Sequence, residues 1–246
     1  MHADNKDSAY KAIVFDCMET LIQMDIPSID VYSDWAYAEP EFAESGLWEN
    51  EAEFRIDWRR ARDDILADAA LREGTVMGRL ESLLRRRLGR ASVSWSEDRI
   101  ATAARGAHTG FWERYVGASY VLAEVPTALA DLRATFAGKL GVASNFMVPG
   151  GISELLTQHD LARYFDFVVV SCDVGWRKPS GRLYDAVVAA AGHSPEHLLF
   201  VGDDPEADYD GPLRYGFTAL LYDRSNRHTA VARRIRSLAE IATIAS

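Results

Sequence analysis

The sequence predicts a doubly wound α/β core interrupted by a helical insertion. Short, wholly apolar runs recur along the chain. Helical stretches alternate with them from about residue 126 onward. Between the first run and the second, about 120 residues contain no convincing strand. The runs are Ala12 to Asp16, Leu140 to Ala143, Phe167 to Val170 and Leu198 to Val201, with Thr218 to Tyr222 as a fifth. They are rich in Val, Ile, Leu and Phe without polar alternation, which marks parallel strands covered on both faces. Gly151 to Tyr164 places Ile152, Leu155, Leu156 and Leu161 at helical spacing, and Ser180 to Ala191 does the same with Leu183, Val187 and Val188. Strand and helix in alternation give a doubly wound sheet.

The long interval after the first strand is dense in Ala, Arg, Glu and Leu, as in Glu53 to Leu71 and Val76 to Leu88, and reads as several amphipathic helices. A simple crossover needs only about a dozen residues, so this is an inserted helical domain. The expected division is a core of residues 1–23 and 122–246 and a helical cap of 24–121, with hinges near Gln23 to Pro27 and Gly117 to Val125. The cap would lie at the carboxyl ends of the strands, where ligands bind in such sheets. Its aromatics, including Trp35, Trp48, Trp58 and Trp112, are expected to fill a small helical bundle. The arginines at 59, 60, 62 and 85–87 read as solvated helix faces.

The 246 residues are 48% hydrophobic and carry a net charge of −10. An acidic surface argues against nucleic acid and requires any anion site to carry its own local positive charge. Cys17 and Cys172 lack metal-ligand spacing and read as reduced thiols. The polar, acidic start is no secretory signal, and no apolar stretch reaches membrane-span length, so the expectation is a cytoplasmic protein, monomeric or homodimeric.

Four segments carry chemistry. Asp16 ends the first strand, Ser144-Asn145 closes the second, Lys178 follows the third, and Gly202-Asp203-Asp204 with Asp208 closes the fourth. In a parallel sheet these carboxyl ends converge on one crevice. A carboxylate, a hydroxyl, an ammonium and an acidic pair in a small volume can attack an electrophile that bears mobile negative charge. Asp16 would be the nucleophile, Ser144 would hold oxygens of the electrophile, and Lys178 would neutralise developing charge. Asp16, Asp203 and Asp208 would hold Mg²⁺, a hard cation that takes carboxylates.

These motifs, in this order, resemble those of the haloacid dehalogenase superfamily, in the branch with a type-one helical cap (subfamily I). The first is Asp16 followed at +4 by Thr20. The second is Ser144 with Asn145. The third is Lys178 in Val174-Gly175-Trp176-Arg177-Lys178-Pro179. The fourth is Gly202-Asp203-Asp204-Pro205-Glu206-Ala207-Asp208. The resemblance spans the whole core and implies a Rossmann-like fold beneath a cap resembling a four-helix bundle. It also implies hydrolysis with Mg²⁺ as cofactor, Asp16, Ser144 and Lys178 as catalytic residues, and Thr20 and Asn145 on the phosphate. The metal would take Asp16, Asp203, Asp208 and the Met18 main-chain carbonyl.

Met18 is the departure. Most phosphatases of the family have a second Asp there, which protonates the leaving oxygen and then activates water. Methionine does neither. The family's dehalogenases have an aromatic residue at this position, need no metal, lack the acidic pair and use an early cap arginine. This chain keeps Asp203 and Asp208, and its first cap arginine is Arg55. Phosphonoacetaldehyde hydrolases use a cap lysine, and none lies between Lys11 and Lys139. The reading is therefore a Mg²⁺-dependent phosphatase of a small phosphorylated metabolite. The alternatives are a C–halogen hydrolase and a catalytically impaired member that binds a ligand or partner.

Overall fold

All four residues of β1 (Ala12–Phe15) are buried, as a strand covered on both faces requires. In the computed structural model, which describes residues 10–244, β1 pairs in parallel with β4 (Lys139–Ser144) and β6 (Leu198–Gly202). β5 (Phe167–Val170) lies beyond β4. β7 (Thr218–Tyr222) and the two-residue β8 (Arg234–Ile235) lie beyond β6, so the order is β5-β4-β1-β6-β7-β8. The neighbours of β1 lead away in opposite directions, which makes its carboxyl end the topological switch point of the sheet. β2 (Gln23–Met24) and β3 (Ser119–Tyr120) form a separate two-stranded sheet. The three short strands β2, β3 and β8 escape sequence reading because two residues show no periodicity.

The chain divides into two compact units, one of Met1–Gln23 with Tyr120–Ser246 and one of Met24–Ser119. The second unit is helical. It holds α1 (Val31–Tyr37), α2 (Pro40–Ala43), α3 (Glu51–Leu66), α4 (Val76–Leu88) and α5 (Glu97–Ala118). The three longer helices start on capping side chains: Asn50, Thr75 and Ser96 accept from the main-chain N–H of Glu53, Gly78 and Arg99. Phe42 stacks on Trp48, and Phe54 meets both rings edge-on. Trp48 and Trp58 are buried within this unit. Arg59 pairs with Asp30 and Arg85 with Glu81 and Glu97 at the surface. Arg87 departs from the solvated reading: its Nε donates to buried Asp57, which also accepts from Trp48 Nε1. The helix expected over Glu53 to Leu71 ends at Leu66, and Leu71 takes a positive φ of 57°.

In the first unit, α6 (Glu124–Thr135), α7 (Gly151–Gln158), α8 (Ser171–Val174), α9 (Gly181–Ala191), α10 (Gly211–Tyr215) and α11 (Glu240–Ile244) accompany the sheet. α9 buries Leu183, Tyr184, Val187 and Ala191 against Ala12, Val14, Ala143, Leu198, Phe200 and Ala219. The alternate residues Ile13, Phe15, Leu199 and Val201 are equally buried, so both faces of the sheet are covered. α7 stops six residues short of its expected end. Asp160 adopts a φ of +57° and Leu161 N–H returns to the Leu156 carbonyl, after which a 3₁₀ turn covers Ala162–Tyr164. Among the described residues no helix is long and apolar enough to cross a membrane.

Tyr184 ties this core to the loop after β6 by donating a buried hydrogen bond of 2.8 Å to the Ala207 carbonyl. Tyr184→Phe should lower unfolding free energy by about 1–2 kcal/mol, read from the urea midpoint at unchanged m-value. An unshifted midpoint would show that the bond contributes nothing net.

Candidate active site

The register of the sheet brings the chemistry together. Phe15 sits beside Val142 and Val201, so Asp16, Ser144 and Asp203 emerge at the same edge. Lys178 reaches this edge from the loop between α8 and α9. Its ammonium is almost wholly buried and donates to three acceptors: Asp16 Oδ1 at 2.6 Å, Asp208 Oδ1 at 2.7 Å and the Ala143 carbonyl at 2.9 Å. All three protons are thereby used. The main chain of Lys178 is fixed as well. Asn145 Oδ1 accepts from its N–H at 2.6 Å and Asn145 Nδ2 donates to its carbonyl at 3.2 Å. The Asn145 amide is committed to this latch.

Asp208 is positioned by two residues of the fourth motif, Asp204 and Gly202, to which the sequence reading gives no role of their own. Asp204 caps the π-helical turn Pro205–Asp210 by accepting from Glu206 and Ala207 N–H, and its own N–H donates to Asp208 Oδ2. Gly202 leaves room for the carboxylate: a Cβ there would stand 2.4 Å from Asp208 Cγ and Oδ2. An Asp-Pro pair after a strand was the available sequence signal for the cap.

The segment after β1 turns tightly. Leu21 and Ile22 N–H both donate to the Cys17 carbonyl, and Glu19 N–H to that of Ile22. Glu19 has a φ of 60° and an exposed side chain, while Met18 is half-buried. Thr20 is buried, and its hydroxyl donates to Asp203 Oδ1 at 3.3 Å. Ser144 Oγ is buried with no hydrogen-bond partner among the described residues. A buried hydroxyl without a partner costs free energy, so a ligand oxygen that engaged it would relieve that cost.

This arrangement coincides with a family-level match. The sequence model of the haloacid dehalogenase-like hydrolases matches residues 10–216. The chain belongs to this family.

It is 38% identical over 80 residues to a phosphoserine phosphatase of Thermus thermophilus, a match covering 32% of each chain. It is 28% identical over 204 residues to a phosphoglycolate phosphatase of Salmonella paratyphi A, covering 81% of this chain and 76% of that one. The match thus spans about a third of the first relative's length and three quarters of the second's. Among solved structures, a 2-haloacid dehalogenase from Pseudomonas syringae pv. Tomato superposes with a TM-score of 0.75 at 20% identity, over 96% of this chain and 97% of that one. A phosphatase of the same family from Thermococcus onnurineus reaches 0.66 at 22% identity, over 95% and 97%. At these identities the structural likeness is one of fold.

Asp16, Asp203 and Asp208 of this hydrolase each offer an oxygen within 4.8 Å of the others. Three carboxylates against one ammonium leave two formal negative charges in a buried site. The protonation tendencies reflect that surplus. Burial raises Asp16, Lys178 opposes the rise, and the charge of Asp203 adds to it. Burial and then Asp208 push Asp203 up to about 7. Burial raises Asp208 to about 7, against the pull of Lys178 and with a push from Asp16. For Lys178, burial alone would favour the neutral amine, but the charges of Asp16 and Asp208 outweigh it and hold the ammonium. A small divalent cation with a preference for oxygen fits this donor set and would cancel the surplus.

A carboxylate raised from 3.8 to about 7 binds its proton more tightly in the folded chain than in the unfolded one. Its contribution to stability is therefore full below pH 3.8 and is lost as pH rises to about 7. Metal-free protein should lose melting temperature between pH 5 and pH 8, and Mg²⁺ should restore it. Asp203→Asn should recover about 1–2 kcal/mol at pH 8 in chelator and lose most of the Mg²⁺ response. Scanning calorimetry at the two pH values checks this, and identical pH slopes for variant and wild type would refute it.

Proposed function

We propose that this chain is a Mg²⁺-dependent phosphatase acting on a small phosphorylated metabolite through a covalent phosphoryl intermediate on Asp16. The observation that carries the reading is the surplus of two negative charges in the Asp16, Asp203, Asp208 and Lys178 cluster. Phosphoryl transfer is governed by positioning and charge stabilisation, which is what such a cluster with a bound dication supplies. A metal-independent C–halogen hydrolysis has no use for the acidic pair of Asp203 and Asp208. The names of the Thermus and Salmonella relatives support a small phosphate ester as substrate.

In this reading an Asp16 oxygen attacks phosphorus while the bond to the leaving oxygen breaks and its electron pair departs with that oxygen. Water then attacks phosphorus of the acyl phosphate, releasing inorganic phosphate and regenerating the Asp16 carboxylate. Lys178 holds the Asp16 carboxylate in place and offsets charge gathered on the phosphoryl oxygens. Ser144 Oγ donates to one of those oxygens, and Thr20 steadies Asp203. The three aspartates and the Met18 carbonyl would hold Mg²⁺, which when bound would supply charge neutralisation on the phosphoryl oxygens. Asn145 serves the phosphate through its hold on Lys178.

Met18 gives the leaving oxygen no proton. The preferred esters are then those with weakly basic leaving groups, such as acyl and aryl phosphates.

Phosphate release from an aryl and an acyl phosphate should require Mg²⁺ and vanish in Asp16→Asn. Absence of release above that blank would reject the reading, and halide release from 2-haloacids without metal would replace it. Met18→Asp should raise kcat on alkyl phosphates by about 100-fold, the lower end of the usual range for a positioned general acid, with little gain on aryl esters. Equal gains on both would show that leaving-group protonation is not what position 18 controls.

A further inference from the structure

Beside the aspartate cluster, and wholly within the same unit, lies a polar cavity of about 330 Å³. Its lining includes three carboxylates, Glu19, Asp203 and Asp223, together with Arg224, Arg227 and His228. Asp203 is shared: it faces this cavity and also contributes an oxygen to the carboxylate cluster with Asp16. The cavity therefore adjoins the position where the phosphoryl group would react.

Its basic wall is the loop after β7. Buried Asp223 organises that loop by accepting from Arg227 N–H at 2.8 Å, His228 N–H at 2.9 Å and Arg234 Nη1 at 3.1 Å. Arg234 also neutralises Asp223, so the Asp223 charge is already answered. Arg224 and Arg227 are different. Arg224 donates to buried Gln23 Oε1 at 3.3 Å, a neutral acceptor that orients the guanidinium without cancelling its charge. Among the described residues neither Arg224 nor Arg227 forms an ion pair. In a chain of net charge −10, Arg55, Arg85 and Arg214 each sit on carboxylates. Two exposed guanidinium groups outside any ion pair, on one wall of a concave site, offer an anion a pair of donors.

We propose that this cavity is a substrate subsite for a carboxylate, so that the preferred phosphate ester also carries a carboxylate on its leaving group. The proposal rests on the phosphatase reading above. A carboxylate fits better than a second phosphate because Glu19 and Asp203 share the wall: a monoanion meets two guanidinium groups with less repulsion than a dianion would. The guanidinium fork matches carboxylate geometry, and the cavity has room for a small organic acid but not for a polymer.

The test uses the full chain with Mg²⁺ and compares 2-, 3- and 4-carboxyphenyl phosphates with phenyl phosphate. At least one isomer should exceed phenyl phosphate in kcat/KM by about tenfold, the order expected of a charge-assisted contact. In Arg224→Gln/Arg227→Gln that preference should fall to near unity, chiefly through KM. A preference that survives in the double variant, or no preference for any isomer in the wild type, would overturn the subsite while leaving the phosphatase reading intact. Benzoate binding, followed by calorimetric titration of the wild type and the double variant, judges the subsite without catalysis. Loss of at least about tenfold in affinity supports it, even if no ester is hydrolysed and the phosphatase reading fails. Equal affinity in the two proteins, or no binding by the wild type, overturns it.

Discussion

Everything at the carboxyl edge of the sheet depends on one buried ammonium. Lys178 Nζ satisfies Asp16, Asp208 and the Ala143 carbonyl at once, at distances between 2.6 and 2.9 Å. Taking an ammonium out of water is costly, and only full satisfaction by charged acceptors makes the buried state tolerable. That requirement propagates outward. The carboxylates must emerge from adjacent strands, which the β1–β6 register supplies. The lysine main chain must be held rigid, which Asn145 does with both ends of its amide. Asp208 must lie flat on β6, which only glycine at position 202 allows.

The same balance explains why the site is poised for a metal and an anion rather than complete in itself. One ammonium cannot answer three carboxylates, so burial and mutual repulsion push the pKa values of Asp203 and Asp208 up to about 7. A bound dication would remove that penalty and add positive potential in a protein of net charge −10. Ser144 is the complementary case, a buried hydroxyl with no partner among the described residues. A surplus of negative charge and an orphaned donor lie along one strand edge.

What the sequence made legible follows from the physics of parallel sheets. Strands buried on both faces announce themselves as apolar runs, and their carboxyl ends must meet. The convergence of Asp16, Ser144, Lys178 and Asp203 therefore follows from order alone. Hydrogen-bond assignments within the site do not follow from order, because they depend on rotamers and turn geometry. Asn145 faces Lys178, and Thr20 faces Asp203, through choices that no periodicity records. Helix ends are opaque for a related reason. Asp160 and Leu71 end helical patterns by entering the left-handed region, which no apolar spacing forbids. The loop from Asp223 to His228 was invisible as a site because its meaning lies in which arginines lack a carboxylate. That is a property of the folded surroundings rather than of the string.

The turn after β1 shows how these levels combine. Glu19 takes a positive φ so that Leu21 and Ile22 can both return to the Cys17 carbonyl. That geometry turns the Glu19 side chain out toward the wall it shares with Asp203 and Arg224, while Met18 stays half-buried. Glu19 is thus occupied as a rim charge of the neighbouring cavity, and its direction is set by backbone geometry rather than by proximity in sequence to Asp16. In the proposed phosphatase reading, without an acid from this turn, selectivity falls to two terms: how basic the leaving oxygen is, and what else the leaving group carries. The first follows from the missing proton at position 18. The second follows from Arg224 and Arg227, neither of which forms an ion pair among the described residues.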